Sequence, residues 1–344
     1  MIPNYFSEIW TAVAPAVVNH LWQSTLFAVA VGVLTLTLRK NQARARYWLW
    51  LAASVKFLIP FSLLVVFGSY LAGPRVEARS ASAGGIYFAM QQVEDVAQTC
   101  RLCRSAAFLV IPTHKPQSLK SANSALPAHL LPALIGIIWL GGFMVVLVIW
   151  YVRWRRLSAG LKDAAPLPDG REVKALRRLE RVAGIRRPIA VLLSRATLEP
   201  GIFGVFRPVL VWPKGISERL DDGQLEAILA HELWHVRRRD NLAALLHMVV
   251  EAVFWFHPLV WWMGGRMVEE RERACDEEVL QLGSEPQVYA ESILKACEFC
   301  IASPLACVSG VTGSDLKKRI VRIMTQRGVR KLSVRKQWLL TVAG

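Results

Sequence analysis

Acidic residues are scarce in this 344-residue chain: 26 Asp and Glu stand against 42 Lys and Arg, a formal net charge of +16. Charge of either sign is thin, at 20% of residues, while 53% are hydrophobic and the mean hydropathy is +0.33. The apolar excess excludes a disordered or fibrous chain. An ordinary cytosolic enzyme is disfavoured too, because a positive mean hydropathy rarely accompanies 42 Lys and Arg against 26 Asp and Glu. Two classes satisfy both numbers: a polytopic membrane protein whose loops collect Lys and Arg, or a basic nucleic-acid binder with a large core.

Runs without any charge decide between them. Ile9 to Leu38 is thirty residues long and uncharged, closed by Arg39 and Lys40. About 20 apolar residues cross a ~30 Å hydrocarbon core, so this run reads as a first membrane span, most apolar over about 17–38. It lacks the basic leader and the small-residue cleavage site of a secretory signal peptide. A second span is expected over about 47–72, with Lys56 as its only charge and Pro60 as a kink. A third falls at about 130–152, and Gln337 to Gly344 resembles the start of a fourth, cut short.

The loops orient these spans. Arg39 to Arg46 holds four positive charges in eight residues, and Arg153, Arg155 and Arg156 follow the third span, whereas the loop 73–127 has six positives offset by Glu77, Glu94 and Asp95. The positive-inside rule then expects the N-terminus outside, loop 73–127 outside, and residues 153–336 in the cytoplasm. Most of the +16 becomes topology signal near anionic lipid, and no direct nucleic-acid partner is expected. Cys275, Cys297, Cys300 and Cys307 fall on the reducing side. Cys100 and Cys103 form an isolated C-x-x-C in the outside loop, which reads as a disulfide or a chance pair before a metal site.

The chemistry lies in the cytoplasmic part. After an Asp-rich helix start at Asp221 and Asp222, with Leu225, Ile228 and Leu229 at helical spacing, comes H-E-x-x-H: His231, Glu232 and His235. Positions i and i+4 share a helix face, so both imidazoles can reach one Zn2+ while Glu232 takes the proton of a bound water. A zinc peptidase needs a third protein ligand and an open position. In the helical pattern Met267 to Leu282, Glu272 can serve as ligand and Asp276, four residues on, can orient an imidazole. Acid-rich helices are commonly no more than solvated, and that reading competes for this segment taken alone.

Between these two segments lies an apolar run, Ala243 to Gly265, long enough to suggest another span and containing His247 and Glu251. If it crossed a bilayer, Glu272 and His231 would lie on opposite sides. A shared metal therefore requires a buried core helix followed by a tryptophan-rich stretch that does not cross.

The series HELWHVRRRD, WFHPLVWW and ERERACDEEVL, with E-x-x-C-D at Glu272, Cys275 and Asp276, resembles the bacterial integral-membrane metallopeptidases of the BlaR/MecR antirepressor type, the beta-lactam sensor-transducers. The run VLLSRATLEPGIFGVFRPVLVWPKGI is similar to that family's strand pair ahead of the zinc helix. The resemblance covers about residues 10 to 340. It implies an α+β membrane protein in which N-terminal spans precede a cytoplasmic gluzincin-like domain, mostly helical with a small antiparallel sheet. It implies Zn2+ on His231, His235 and Glu272 with Glu232 as base, and an extended substrate aligned along an edge strand, for which Pro200 to Val211 is the local candidate. For the oxyanion donor the sequence offers only Tyr289 and Arg319, each more readily read as structural.

Two departures stand out. His257-Pro258 replaces the family's usual Asn-Pro, and the chain stops at Gly344, before the fourth span and the outside penicillin-binding domain of the sensors. The expectation is either a truncated frame or a peptidase module serving another input. Three functions follow. The first is a membrane zinc endopeptidase that signals by cleaving itself or a cytoplasmic winged-helix repressor, with a homodimer left open. The second is a processing or quality-control peptidase of the heat-shock or prenyl-protease kind. The third is a receptor scaffold without catalysis. Ser314 to Gln326 is expected to form a basic amphipathic helix, capped by Ser314 and packed on the peptidase domain.

Overall fold

A computed structural model describes residues 2–39, 41–60, 131–161, 164–194, 199–301 and 313–325. The chain is mostly helical. In order come α1 (Ile2–Thr37), α2 (Ala43–Lys56), α3 (Leu131–Gly160), β1 (Ala165–Pro166), α4 (Arg171–Ala183), β2 (Ala190–Ser194), β3 (Gly201–Phe203), β4 (Val209–Pro213), α5 (Asp222–Arg238), α6 (Asp240–Val253), α7 (Pro258–Gln281), α8 (Pro286–Ile301) and α9 (Gly313–Thr325). The loop 73–127, Cys100, Cys103, Cys307, the second half of the expected second span and the stub 337–344 lie outside the described residues.

Among the described residues, two segments are long and apolar enough to cross a membrane, Ala14–Thr37 within α1 and Leu131–Ala159 within α3. The helix α3 runs two turns past the apolar stretch that defines it, carrying Arg153, Arg155 and Arg156 on its last turns. The described part of the second apolar run forms α2, which stops at Lys56, ahead of Pro60. The residue before a proline is pushed away from α geometry, so the helix closes early.

The sheet is mixed, not the small antiparallel sheet that the resemblance implies. Its order is β1-β2-β4-β3, with β1–β2 and β3–β4 antiparallel but β2–β4 parallel, in register from Ala190 opposite Val209 to Ser194 opposite Pro213. After β2 the chain passes to the far edge, forms β3 and returns as β4 between β2 and β3. Gly204 turns that hairpin at φ +88°, where an added Cβ would meet the Arg207 carbonyl at 2.5 Å. The two edge strands are β1 and β3, and β4 lies inside the sheet.

Two cores follow. One packs the buried face of α5 (Leu225, Leu229, Leu233) against Trp212 of β4, Leu176 of α4 and Tyr289 of α8. The other joins α1 and α2 to α6 and α7 through Val31, Trp50, Phe57, Val250 and Met263. The apolar run Ala243 to Gly265 is not one helix: α6 ends at Val253, and α7 starts at Pro258, whose missing N–H costs nothing at the first helical position. On α9, Gly313 is already helical, so Ser314 sits inside the first turn and not at the cap.

Candidate active site

The helix α5 begins with a reciprocal capping box, Asp221 with Gln224, and ends at Arg239, whose φ of 56° is left-handed. That reversal starts α6 at Asp240 and turns its carboxylate back onto the last turn of α5. His231 and His235 share the face of α5 that looks onto α7, with Glu232 half-buried between them. Burial pushes the Glu232 carboxyl up to about 7 and the His231 imidazole down to about 4.

Hydrogen-bond counting fixes how the imidazoles point. The Tyr289 hydroxyl donates to Asp276 Oδ1 at 2.6 Å and lies 2.9 Å from His231 Nδ1. A hydroxyl has one proton, so Nδ1–H of His231 donates to the tyrosine oxygen and Nε2 keeps its lone pair. Asp240 Oδ2 accepts from His235 Nδ1 at 2.7 Å, with the same consequence for that ring. Both free nitrogens face Glu272: His231 Nε2 lies 3.3 Å from Oε2, and His235 Nε2 lies 3.9 Å from Oε1. The two imidazole nitrogens and the Glu272 carboxylate thus converge, beside Arg271, which bonds Glu272 Oε1 at 2.9 Å, and Arg319 Nη2, which lies 3.3 Å from His231 Nε2. Arg319 Nη2 bonds Asp276 at 2.7 Å, and its Nη1 is 3.8 Å from Glu272.

The site floors a groove of about 820 Å³. Glu199 to Ile202, entering β3, form one wall, and residues of α7, α8 and α9 form the other. Asn241 Nδ2 donates to the carbonyls of Ile202 and Gly204 at 3.1 and 2.8 Å, fixing β3 beside the end of α5.

The model of the BlaR1 peptidase M56 family matches residues 16–323. The chain belongs to that family. It is 36% identical over 141 residues to the regulatory protein BlaR1 of Bacillus licheniformis, covering 39% of this chain and 23% of that protein. It is 31% identical over 112 residues to the methicillin resistance mecR1 protein of Staphylococcus aureus, covering 32% and 19%. A protease HtpX homolog of Bacteroides fragilis is 25% identical over 120 residues, covering 33% and 37%. The chain spans less than a quarter of the length of the two regulatory proteins. At the level of the family this is a membrane-associated metallopeptidase, and a metal is implied.

The donor set fits such an ion. A tetrahedral metal with ligands at about 2.0–2.1 Å has ligand-to-ligand edges of about 3.3 Å, which the His231–Glu272 separation of 3.3 Å meets. A second set also lies close: one atom each of His231, His235 and Cys275 fall within 4.8 Å of one another. Cys275 Sγ, however, is 3.5 and 3.6 Å from the two nitrogens of His235, nearly equidistant and so on the lone-pair axis of neither. Sγ also accepts from Arg238 at 3.0 Å, and burial raises the thiol pKa, which keeps it protonated.

Sequence reading overlooked Asp240. It is five residues after His235, a spacing that no continuous helix brings onto one face, and only the left-handed Arg239 brings it back. Asp276 stands 3.5 Å from His231 Nδ1, so it reaches that imidazole through the Tyr289 hydroxyl. Tyr289 and Arg319 both lie in the site. His257 does not join it; its Nε2 pairs with Thr25 Oγ1 at 3.1 Å on α1.

Proposed function

We propose that this chain is a membrane-anchored zinc endopeptidase that transmits a signal by cleaving itself or a cytoplasmic repressor of the winged-helix type. The observation that carries the reading is the convergence of His231 Nε2, His235 Nε2 and the Glu272 carboxylate beside Glu232 on the floor of an open groove.

His231, His235 and Glu272 hold the ion, and Glu232 is the base. When bound, zinc supplies Lewis-acid activation of water and of the scissile carbonyl. Glu232 accepts the proton of the attacking water and delivers it to the leaving amine, a role suited by a carboxyl near 7. Asp240 holds His235, and Asp276 with Tyr289 holds His231, in the tautomers that keep both Nε2 atoms free. Tyr289 spends its hydroxyl on Asp276 and His231, which leaves Arg319 Nη1 as the group to support developing oxyanion charge. The edge strand β3 aligns an extended substrate along the groove wall. The domain 153–336 faces the cytoplasm, the N-terminus and loop 73–127 face outside, and the break at residues 254–257 lets α7 return Glu272 to the side that holds His231.

The test expresses the chain in membranes beside Glu232→Ala, follows self-cleavage and repressor levels with and without a zinc chelator, and measures bound zinc. Cleavage by the wild type alone, abolished by chelator, is the expected result. Equal behaviour of the two proteins would sink the enzymatic reading. Cleavage of unfolded membrane proteins with repressor untouched would favour a quality-control peptidase, the reading that the similarity to the HtpX homolog supports. A cysteine-accessibility map that puts positions 231 and 272 on opposite faces would overturn the topology.

A further inference from the structure

A second cavity, of about 520 Å³, opens where the end of α1 meets α2, α7 and α9, beside the peptidase groove, with which it shares Arg266 and Arg322. Five guanidiniums line it, those of Arg39, Arg46, Arg266, Arg273 and Arg322, against two carboxylates, Glu270 and Glu277. The carboxylates are already engaged. Glu270 takes Arg46 at 2.8 Å and Arg273 at 2.9 Å, while Glu277 accepts the Ala43 backbone N–H at 2.9 Å. Glu269, outside the lining, pairs with Arg266 and Arg273.

Positive charge is left over. Arg39 and Arg322 make no ion pair or side-chain hydrogen bond among the described residues. Arg273 Nε is buried without a partner. Burial and the neighbouring Arg273 guanidinium disfavour the charge of Arg322 by more than the carboxylates of Asp276, Glu269 and Glu270 favour it. Several unspent N–H donors therefore border a cavity large enough for a small ligand, in a place where five guanidiniums outnumber the carboxylates among them.

Position narrows the anion. Thr35 and Leu36, on the cavity rim, belong to the last turn of the Ala14–Thr37 segment, and Arg39 follows two residues later. With α1 read as a membrane span, this is the depth at which hydrocarbon gives way to phosphate headgroups. Guanidiniums match phosphate oxygens in geometry and charge, and basic pockets between membrane helices hold anionic headgroups by these contacts. We propose that this cleft binds a phosphate-bearing anion, the headgroup phosphodiester of an anionic phospholipid. Its occupant would bridge α1 to the two helices that border the peptidase groove, since Arg322 lies one turn after Arg319 on α9, and Glu270 and Arg273 flank Glu272 on α7. The site does not depend on peptidase activity, so its test can fail or succeed independently of the reading above.

The experiment uses the full chain purified in neutral detergent and titrated with fluorescent phosphatidylglycerol, with unlabelled phosphatidylglycerol, phosphatidylcholine and inorganic phosphate as competitors. Saturable binding, displaced by phosphatidylglycerol far better than by phosphatidylcholine, is expected. Arg39→Gln with Arg322→Gln should weaken it roughly ten- to thirtyfold, at about one surface-lipid contact per arginine removed, without loss of the thermal transition. Arg153→Gln with Arg155→Gln, basic residues outside the cleft, should leave it unchanged. Displacement by inorganic phosphate at the same molar level as lipid would assign the cleft to a soluble phosphate and overturn the lipid assignment. Undiminished binding in the first double variant, or an equal loss in the second, would show diffuse charge attraction and overturn the site.

Discussion

Two helices of this chain each present a pair of ionisable side chains four residues apart, and one helix, α7, faces both. On α5 the pair is His231 and His235; on α6 it is His247 and Glu251. Along α7, Glu272 meets the first pair and Gly264, about 12 Å away at 1.5 Å per residue, meets the second. The outcomes differ. Around α5 the Nδ1 atoms are held by Tyr289 and Asp240, so the Nε2 atoms are left facing a carboxylate beside an open groove. Around α6, His247 spends Nδ1 on Ser54 at 2.8 Å, Nε2 lies 3.2 Å from Glu251, and a Cβ on Gly264 would come within 2.5 Å of that nitrogen. The second cluster is closed by packing: His247 Nε2 is buried without a hydrogen bond, and the space beside it has no room for a guest. Helical spacing makes such pairs possible; the facing residue and the free volume decide whether they can hold an ion.

The contrast breaks most sharply at Glu272. Glu272→Ala should abolish bound zinc and lower peptide cleavage by at least about a thousandfold, while His247→Ala should keep zinc at full stoichiometry. Metal analysis of the purified variants checks both, and zinc loss in His247→Ala would erase the distinction. Asp240→Asn comes next. It leaves the ligands in place but frees the His235 ring, and zinc affinity measured by chelator competition should fall about 10- to 100-fold.

Gly264→Ala sharpens the other side. The methyl must displace His247 or Glu251, so stability should drop by about 1–3 kcal/mol, read as a lower thermal midpoint, with zinc stoichiometry unchanged. The smallest effect is a pH slope. Burial pushes the Glu277 carboxyl up to about 7 from the 4.5 of the unfolded chain, with Arg46, Glu270 and Glu278 facing it. Between those values the folded state holds the proton that the unfolded state has released. The stabilisation is therefore full below about 4.5 and is lost as pH rises through 7. Denaturant titrations at pH 5.5 and 7.5 should show wild type losing on the order of 1 kcal/mol more than Glu277→Gln.

Much of the fold was legible because its signals are local. Uncharged runs locate α1 and α3, and the Asp-rich start at Asp221 and Asp222 marks α5, where the structure adds a capping box between Asp221 and Gln224. The mixed sheet was not legible, since the position of β4 between β2 and β3 depends on long-range pairing that a strand's own sequence does not encode. The same limit applies within the site. His231, Glu232 and His235 are found by helical spacing, and Glu272 by the pattern around it. Asp240 was missed because its approach to His235 runs through one left-handed residue, Arg239.

By itself the sequence determined where the apolar spans and the basic loops lie, which helix carries the imidazole pair, and which acidic segment supplies its partner, because hydropathy and the 3.6-residue period are properties of short windows. Only the tertiary structure decided that the apolar run Ala243 to Gly265 breaks at Pro258, so that α7 brings Glu272 within 3.3 Å of His231. It also decided that the nearby His247 cluster is closed. Convergence of side chains from separate helices depends on packing and on the turns between them, and neither is written in any single segment of the chain.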